Sequence, residues 1–373
     1  MSDTKIRTES TSSLKPMVMA VAFILAIGGS GLALLFAKPE NILPGERRPP
    51  AEPPSMAKLI DGGWDKSFES YLSDRFPGRE QLRGIVSFTK LDLFRQSDVD
   101  GRYRSDGQVG QFEAVRPDSV RLCAEKIATV AASLPGRRHF YAVIPDKSSY
   151  LEDFPGYDPA QVKTIITPLL SELTEVDLTS ALSSEDYYTT DLHWNQVKLE
   201  NVASTLGQSM GFNPARGTEQ KLVGSFWGTF AGQLALPMPP DQLFYLTSPV
   251  IDQIQTGYLN AQTGSFEPGL LYQLDRFTGP DPYDVFLGGP QPLIRLGNPT
   301  VSKKRQLVVF RDSFGSSLTP LLLDSYSEVV LVDLRYINSK LLTRYVQIDA
   351  DADVLFLYSS QVVNHAETLL VTR

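Results

Sequence analysis

The sequence predicts an α/β fold with a mostly parallel sheet, and three observations lead there. Helical apolar periodicities alternate with short apolar runs such as "HFYAVIP" (His139–Pro145), "LVVF" (Leu307–Phe310) and "DVLFLYS". Runs of that kind are strands buried on both faces of a sheet, with helices as the covering layers. The chain has 373 residues, 42% hydrophobic and 21% charged, enough to bury a large core. The alternation is interrupted over about 212–300 and resumes at "KRQLVVFRDSFGSSLTPLLL".

Taken in order, residues 1–16 are rich in Ser and Thr and read as a disordered tail. Residues 17–37, "MVMAVAFILAIGGSGLALLFA", carry no charge over 21 positions. As a helix this run matches the thickness of a bilayer core, roughly 30 Å. A cleaved signal peptide has a shorter apolar region, about 7–15 residues, and a small-x-small site that "LLFAKPE" lacks. An uncleaved transmembrane anchor is therefore expected. Lys5, Arg7 and Lys15 before the run balance Lys38, Arg47 and Arg48 after it, so the charge rule does not orient it. A short tail before a large domain fits a single-pass membrane anchor, with a cytoplasmic tail and an extracytoplasmic domain. Residues 38–55 hold six prolines between Pro39 and Pro54 and read as a stiff linker.

The folded domain is expected over 56–373. Phe68, Tyr71 and Leu72 mark a first helix, Pro77-Gly78 breaks it, and Leu82, Ile85, Val86 and Leu93 mark a second. A helix near Ser119–Leu134, the strand at His139 and a helix through Val162, Ile165, Ile166, Leu169 and Leu170 follow. The Gly-, Pro-, Phe- and Tyr-rich stretch 212–300 reads as an insertion of short strands and loops. Beyond it come "EVVLVDL" as strand, "NSKLLTRYV" as helix and "DVLFLYS" as strand.

Charge and rare residues narrow the function. A net charge of −8 argues against a nucleic-acid partner. The single cysteine, Cys123, lies in a helical run and reads as a buried thiol, and no Cys/His cluster suggests a metal. No cofactor is expected.

Two segments carry candidate chemistry. In "QLVVFRDSFGSS", Ser313 leaves a buried strand at the start of a helix, where parallel sheets bind ligands. It reads either as a nucleophile whose backbone N–H helps hold an oxyanion or as a helix cap. In "YYTTDLHWNQ", Asp191 and His193 are two apart, so an extended segment turns them the same way. They read either as an orienting carboxylate with its general base or as a surface pair. A serine needs an adjacent base, and the two segments together supply one. His139 and His365 are poorer candidates.

These residues resemble the DHHW family, which is similar to the alginate O-acetyltransferases of the SGNH-hydrolase-like superfamily. Asp-x-His-Trp followed downstream by Asp-Ser-aromatic carries the resemblance. "SFESYLSDRFPGREQLRGI", "VGSFWGTFAG", "YDVFLGGPQPLI" and "DVLFLYSS" extend it from about Trp64 to Ser360. Leu192 departs from the family's Asp-His-His-Trp, and Arg311 stands where many superfamily members have the Gly that precedes Asp-Ser. The resemblance implies an SGNH-hydrolase-like three-layer sandwich with a loop-rich β insertion. It implies Ser313 as nucleophile, His193 as base, Asp191 as orienter and the Ser313 N–H as oxyanion donor. It also implies acetyl transfer to an envelope or exported polysaccharide, with an MBOAT-type membrane acyltransferase as partner. A carbohydrate acetyl esterase and a non-catalytic polysaccharide-binding or assembly protein are the alternatives. Tyr187, Tyr188, Trp194, Phe226 and Trp227 are candidates for stacking on sugar, with core packing as the competing reading; Trp194, Tyr188 and Trp227 are the substrate-binding residues chosen.

Overall fold

The strand Gln306–Arg311 is buried at every residue. Leu307 and Val309 enter one apolar layer, Val308 and Phe310 another. That alternation is what a strand covered on both faces requires. The computed structural model describes residues 16–21, 23–24, 28–29, 41–43, 45–55, 60, 63–134, 137–151 and 157–372. The chain divides into two units, residues 1–89 and 90–373.

The first unit contains helices α1 (Trp64–Arg75) and α2 (Arg79–Phe88). The turn between them uses Gly78 at φ 74°, a backbone state that favours glycine. Asp74 is buried, and a buried carboxylate needs partners. Arg48 supplies two hydrogen bonds, at 2.7 and 2.8 Å, and the Ala51 N–H a third at 2.8 Å. Part of the proline-rich segment is thus tied to α1, where a plain extended spacer was expected. Both helices belong to this first unit, whereas the sequence suggested a single domain from residue 56. Most of the apolar run 17–37 lies outside the described residues. Among the described residues no helix is long and apolar enough to cross a membrane.

The second unit runs β1 (Arg102–Ser105), β2 (Gln108–Gln111), α3 (Pro117–Ala132), β3 (Arg138–Ile144), α4 (Pro159–Ile166), β4 (Thr174–Glu175) and α5 (Glu200–Met210). It continues with β5 (Glu219–Phe226), α6 (Thr229–Leu234), β6 (Asp241–Thr247), β7 (Gln255–Leu259), β8 (Phe266–Gly269) and β9 (Leu293–Gly297). It ends with β10 (Gln306–Arg311), α7 (Ser313–Leu318), β11 (Glu328–Val332), α8 (Leu342–Tyr345), β12 (Asp353–Ser359) and α9 (Ser360–Asn364).

The central sheet has eight strands in the order β4-β3-β12-β10-β11-β9-β7-β8. From β4 to β11 all neighbours are parallel; β9, β7 and β8 add on antiparallel. The stretch 212–300, read as an insertion of short strands and loops, contributes three of those strands to the central sheet itself. β9 pairs with the edge of β11 and removes an exposed row of backbone donors and acceptors, while β5 and β6 form a separate hairpin. Val202, Ala203 and Leu206 of α5 and Phe314 and Leu318 of α7 pack on one face. Val120, Cys123 and Ile127 of α3, Val162 and Ile166 of α4 and Val363 of α9 pack on the other. The layering is helix, sheet, helix. The carboxyl ends of β3, β10 and β12 deliver Lys147, Ser313 and Ser359 to one edge of the sheet, where open parallel sheets hold ligands.

Helix α5 starts at Glu200, not at Asn195. Asn195 instead caps a single 3-10 turn, accepting the Val197 N–H. The helix that Ser313 opens, α7, is followed by the 3-10 segment Thr319–Ser325.

Candidate active site

The segment from Asp186 to Gln196 is a tight loop. Tyr187 bridges Trp194 in antiparallel fashion, the Tyr188 N–H donates to the His193 carbonyl at 3.0 Å, and the Asn195 N–H to the Asp186 carbonyl at 2.7 Å. Asp241 closes the outside by accepting the N–H groups of Thr189 and Thr190 at 2.9 and 2.7 Å. Asp191 and His193 therefore come together through a turn, not through an extended strand. Asp191 Oδ1 accepts both the His193 N–H, at 3.0 Å, and Nδ1, at 2.7 Å. Its Oδ2 accepts the Thr229 N–H at 2.8 Å. Three such donors on its two oxygens hold this buried carboxylate in a single orientation.

Gly228 makes that approach possible. A Cβ there would lie 2.4 Å from Asp191 Cβ and 2.4 Å from the Thr190 carbonyl oxygen. "FWGT" is thus read by the fold as close backbone approach to the acid.

Ser313 is set by the end of β10. Asp312 caps α7 by accepting the Phe314 N–H at 3.0 Å, and its other oxygen accepts the Ser359 N–H at 2.7 Å. The ends of β10 and β12 are laced together by this one carboxylate. An added Cβ on Gly315 would meet Arg311 Cβ at 2.7 Å, so the first turn of α7 lies against the strand it left. Ser313 itself is only partly buried. Its N–H is at the first helical position and has no intrahelical acceptor.

His193 Nε2 and Ser313 Oγ are 2.8 Å apart. A carboxylate accepts only, so the proton between Asp191 and the ring belongs to Nδ1. Nε2 then presents its lone pair to the serine hydroxyl. The imidazole, 5% exposed, stacks on Tyr283 at 3.8 Å with 9° between the planes, and Phe314 lies 4.9 Å away. The Tyr283 hydroxyl donates to Ser317 Oγ at 2.7 Å. Trp194 Nε1 reaches the same oxygen at 2.9 Å and the Phe314 carbonyl at 3.0 Å. Trp194, the residue after His193, thus locks the loop to the helix that Ser313 opens.

Other expectations came out differently. Trp194 and Tyr188 are buried. Trp194 is a strut between loop and helix; Tyr188 packs edge-on against Phe226. Tyr187 and Phe226 are buried as well. None of these four offers a ring face to a sugar, because packing has taken the faces. Trp227 is 58% exposed with Nε1 donating to the Met238 carbonyl. Arg311 is buried, Nη1 reaching the Asp312 carbonyl at 3.3 Å and Ser316 Oγ at 3.0 Å; burial disfavours its charge. It braces the serine turn. His365 lies on the surface with Glu113 and Arg116.

Sequence reasoning missed Lys147, Tyr283, Gly228 and Asp312's second contact. "IPDK" at a strand's carboxyl end and the glycine of "FWGT" were signals of place, without a sign of what they would touch.

No protein-family model matches the chain. No curated protein matches it. Solved structures do match in fold. A DHHW family protein from Eubacterium siraeum DSM 15702 superposes with a TM-score of 0.60 at 18% identity, over 74% of this chain and 98% of that one. Bacillus cereus PatB1 with a sulfonyl adduct gives 0.56 at 18%, over 72% and 96%. The O-acetyltransferase domain of Pseudomonas putida AlgJ gives 0.39 at 14%, over 71% and 92%, too distant to bear on function. At these identities the likeness is one of fold, and in fold the chain is similar to a DHHW family protein.

Proposed function

We propose that this protein is an O-acetyltransferase of the cell envelope that moves acetyl groups onto hydroxyls of a polysaccharide, with Ser313 as nucleophile, His193 as general base and Asp191 as its orienter. The observation that carries the reading is the 2.8 Å contact between His193 Nε2 and Ser313 Oγ, backed by Asp191 at 2.7 Å from Nδ1. In the first half-reaction Ser313 Oγ attacks the acetyl carbonyl of the donor, and its proton passes to Nε2. The imidazolium is held by Asp191, and the Ser313 N–H donates to the carbonyl oxygen as charge develops there. Collapse breaks the bond to the leaving oxygen or sulfur, which takes the proton from Nε2. In the second half-reaction a sugar hydroxyl gives its proton to Nε2 as its oxygen attacks the acetyl-serine. The proton then returns to Oγ as the sugar ester leaves. General base action of this kind is worth about 10²–10⁴-fold.

The resemblance in the two motifs supplies the remaining parts of the reading: a membrane anchor at 17–37, an extracytoplasmic domain and an MBOAT-type membrane acyltransferase as acetyl source. Trp227, the exposed ring one residue before Gly228, is the sugar-stacking candidate. Covalent labelling of Ser313 by a serine-directed phosphonate, with loss of polymer acetylation in a folded Ser313→Ala variant, is the test. Normal acetylation in that variant overturns the reading. Acetyl-ester hydrolysis outrunning transfer to a sugar acceptor reassigns the same residues to a carbohydrate esterase.

A further inference from the structure

Lys147 lies one turn past the end of β3 and is 1% exposed. Its three ammonium protons go to backbone carbonyls: Tyr188 at 2.8 Å, Asp191 at 3.0 Å and Thr189 at 3.2 Å. The ring of Phe230 lies 5.3 Å from the same nitrogen. All three acceptors belong to the tight loop before His193. Their carbonyl dipoles converge on one point, which without a cation is an unfavourable buried arrangement. Asp191 is thereby held from two sides, its carbonyl by Lys147 and its carboxylate by Thr229 and His193.

We propose that Lys147 is the positioning residue of the general base: its ammonium gathers the carbonyls of residues 188, 189 and 191 and so holds the Asp191 carboxylate against His193 Nδ1. This rests on the reading of Ser313, His193 and Asp191 given above. Without the charge, the carbonyls turn outward, the loop shifts, and Nδ1 loses its acceptor.

The charged groups around the ammonium are Asp146 on its own turn, Asp191 on the loop and Asp241 at the start of β6; Tyr188 and the Phe230 ring complete the surroundings. Burial pushes Lys147 down from 10.5 to about 8, with those three carboxylates acting in the opposite direction. Its charged form is the one that folding disfavours. Raising the pH through about 8 therefore releases the loop while this group's contribution to global stability rises, up to the ordinary lysine value. Reactivity and stability move in opposite directions, which a lysine serving the fold alone would not produce.

The test uses the full-length protein and a fluorophosphonate probe. Ser313 labelling rates, thermal unfolding and the low-field proton resonance of the His193–Asp191 hydrogen bond are followed between about pH 7 and 10, for wild type, Lys147→Met and Lys147→Arg. In wild type, labelling falls and the low-field resonance fades on passing about pH 8, with no drop in Tm. Lys147→Met labels about 10–100-fold more slowly at neutral pH and lacks the resonance. Lys147→Arg restores most of the neutral rate and removes the alkaline fall. A folded Lys147→Met with wild-type labelling and an intact resonance overturns the proposal. Should that variant not fold, wild-type labelling and resonance that stay level across the range overturn it. If wild-type Ser313 is never labelled, the nucleophile reading fails, and the resonance alone still decides the role of Lys147.

Discussion

Gly228→Ala is the sharpest perturbation the site allows. The backbone there, φ −74° and ψ 173°, suits any residue, so alanine adds no conformational strain. All of its effect is the new methyl group. That methyl would sit 2.4 Å from Asp191 Cβ, 2.5 Å from Asp191 Cα and 2.4 Å from the Thr190 carbonyl oxygen. Carbon atoms rest at about 3.5–4.0 Å, so the loop must retreat by roughly 1 Å. Asp191 cannot yield alone, because two of the three close atoms are backbone. The retreat lengthens the Nδ1–Oδ1 bond, now 2.7 Å, and the Thr229 N–H bond, now 2.8 Å. A 1 Å misplacement is enough to lower a rate by about 10²-fold, and overpacking of this kind costs about 1–3 kcal/mol of stability. The assay is the second-order rate of phosphonate labelling at Ser313, with urea unfolding alongside. Gly211→Ala is the matched control. Its Cβ would meet nothing within 4 Å, but its φ is 72°, so it loses about 1 kcal/mol and keeps its labelling rate. Wild-type labelling in a folded Gly228→Ala protein would refute the account of how Asp191 is held.

Ser313→Ala should abolish acetyl transfer, by at least about 10³-fold, with Tm unchanged within a few degrees; polymer acetylation by mass spectrometry reads it. Asp191→Asn keeps the shape but stabilises the wrong imidazole tautomer, and a fall of about 10⁴-fold in kcat is expected. Asp312→Ala removes both a helix cap and the Ser359 tie, so it should lose about 1–3 kcal/mol in urea unfolding besides slowing labelling. Trp227→Ala, at an exposed ring, should leave phosphonate labelling intact and raise the KM for a sugar acceptor; an unchanged KM removes Trp227 from the acceptor site.

The layered architecture was legible because burial on both faces leaves a mark in the sequence. Val308 and Phe310 must be apolar on one side and Leu307 and Val309 on the other. The antiparallel strands β7, β8 and β9 were not seen as sheet members. They are short, rich in Gly and Pro, and solvated on part of their surface, so neither periodicity nor continuous hydrophobicity marks them. Of the site, Asp191, His193 and Ser313 stood out by residue type and place. The aromatic residues beside them did not declare which would be buried: Trp194 and Trp227 look equivalent in sequence, yet one is wholly enclosed and the other 58% exposed.

The sequence alone determined the chemical inventory and the strand-end placement of the serine, because both are properties of local residue order. It also determined that Asp191 and His193 would be neighbours, two positions apart. Only the tertiary structure decided that His193 and Ser313, 120 residues apart, come within 2.8 Å, since that distance depends on how β10 and the 186–196 loop are packed across one sheet edge. It also decided that a buried lysine from a third segment, a glycine from a fourth and a tyrosine from a fifth would lie against the 186–196 loop. Those roles arise from contacts between distant segments, and no local pattern carries them.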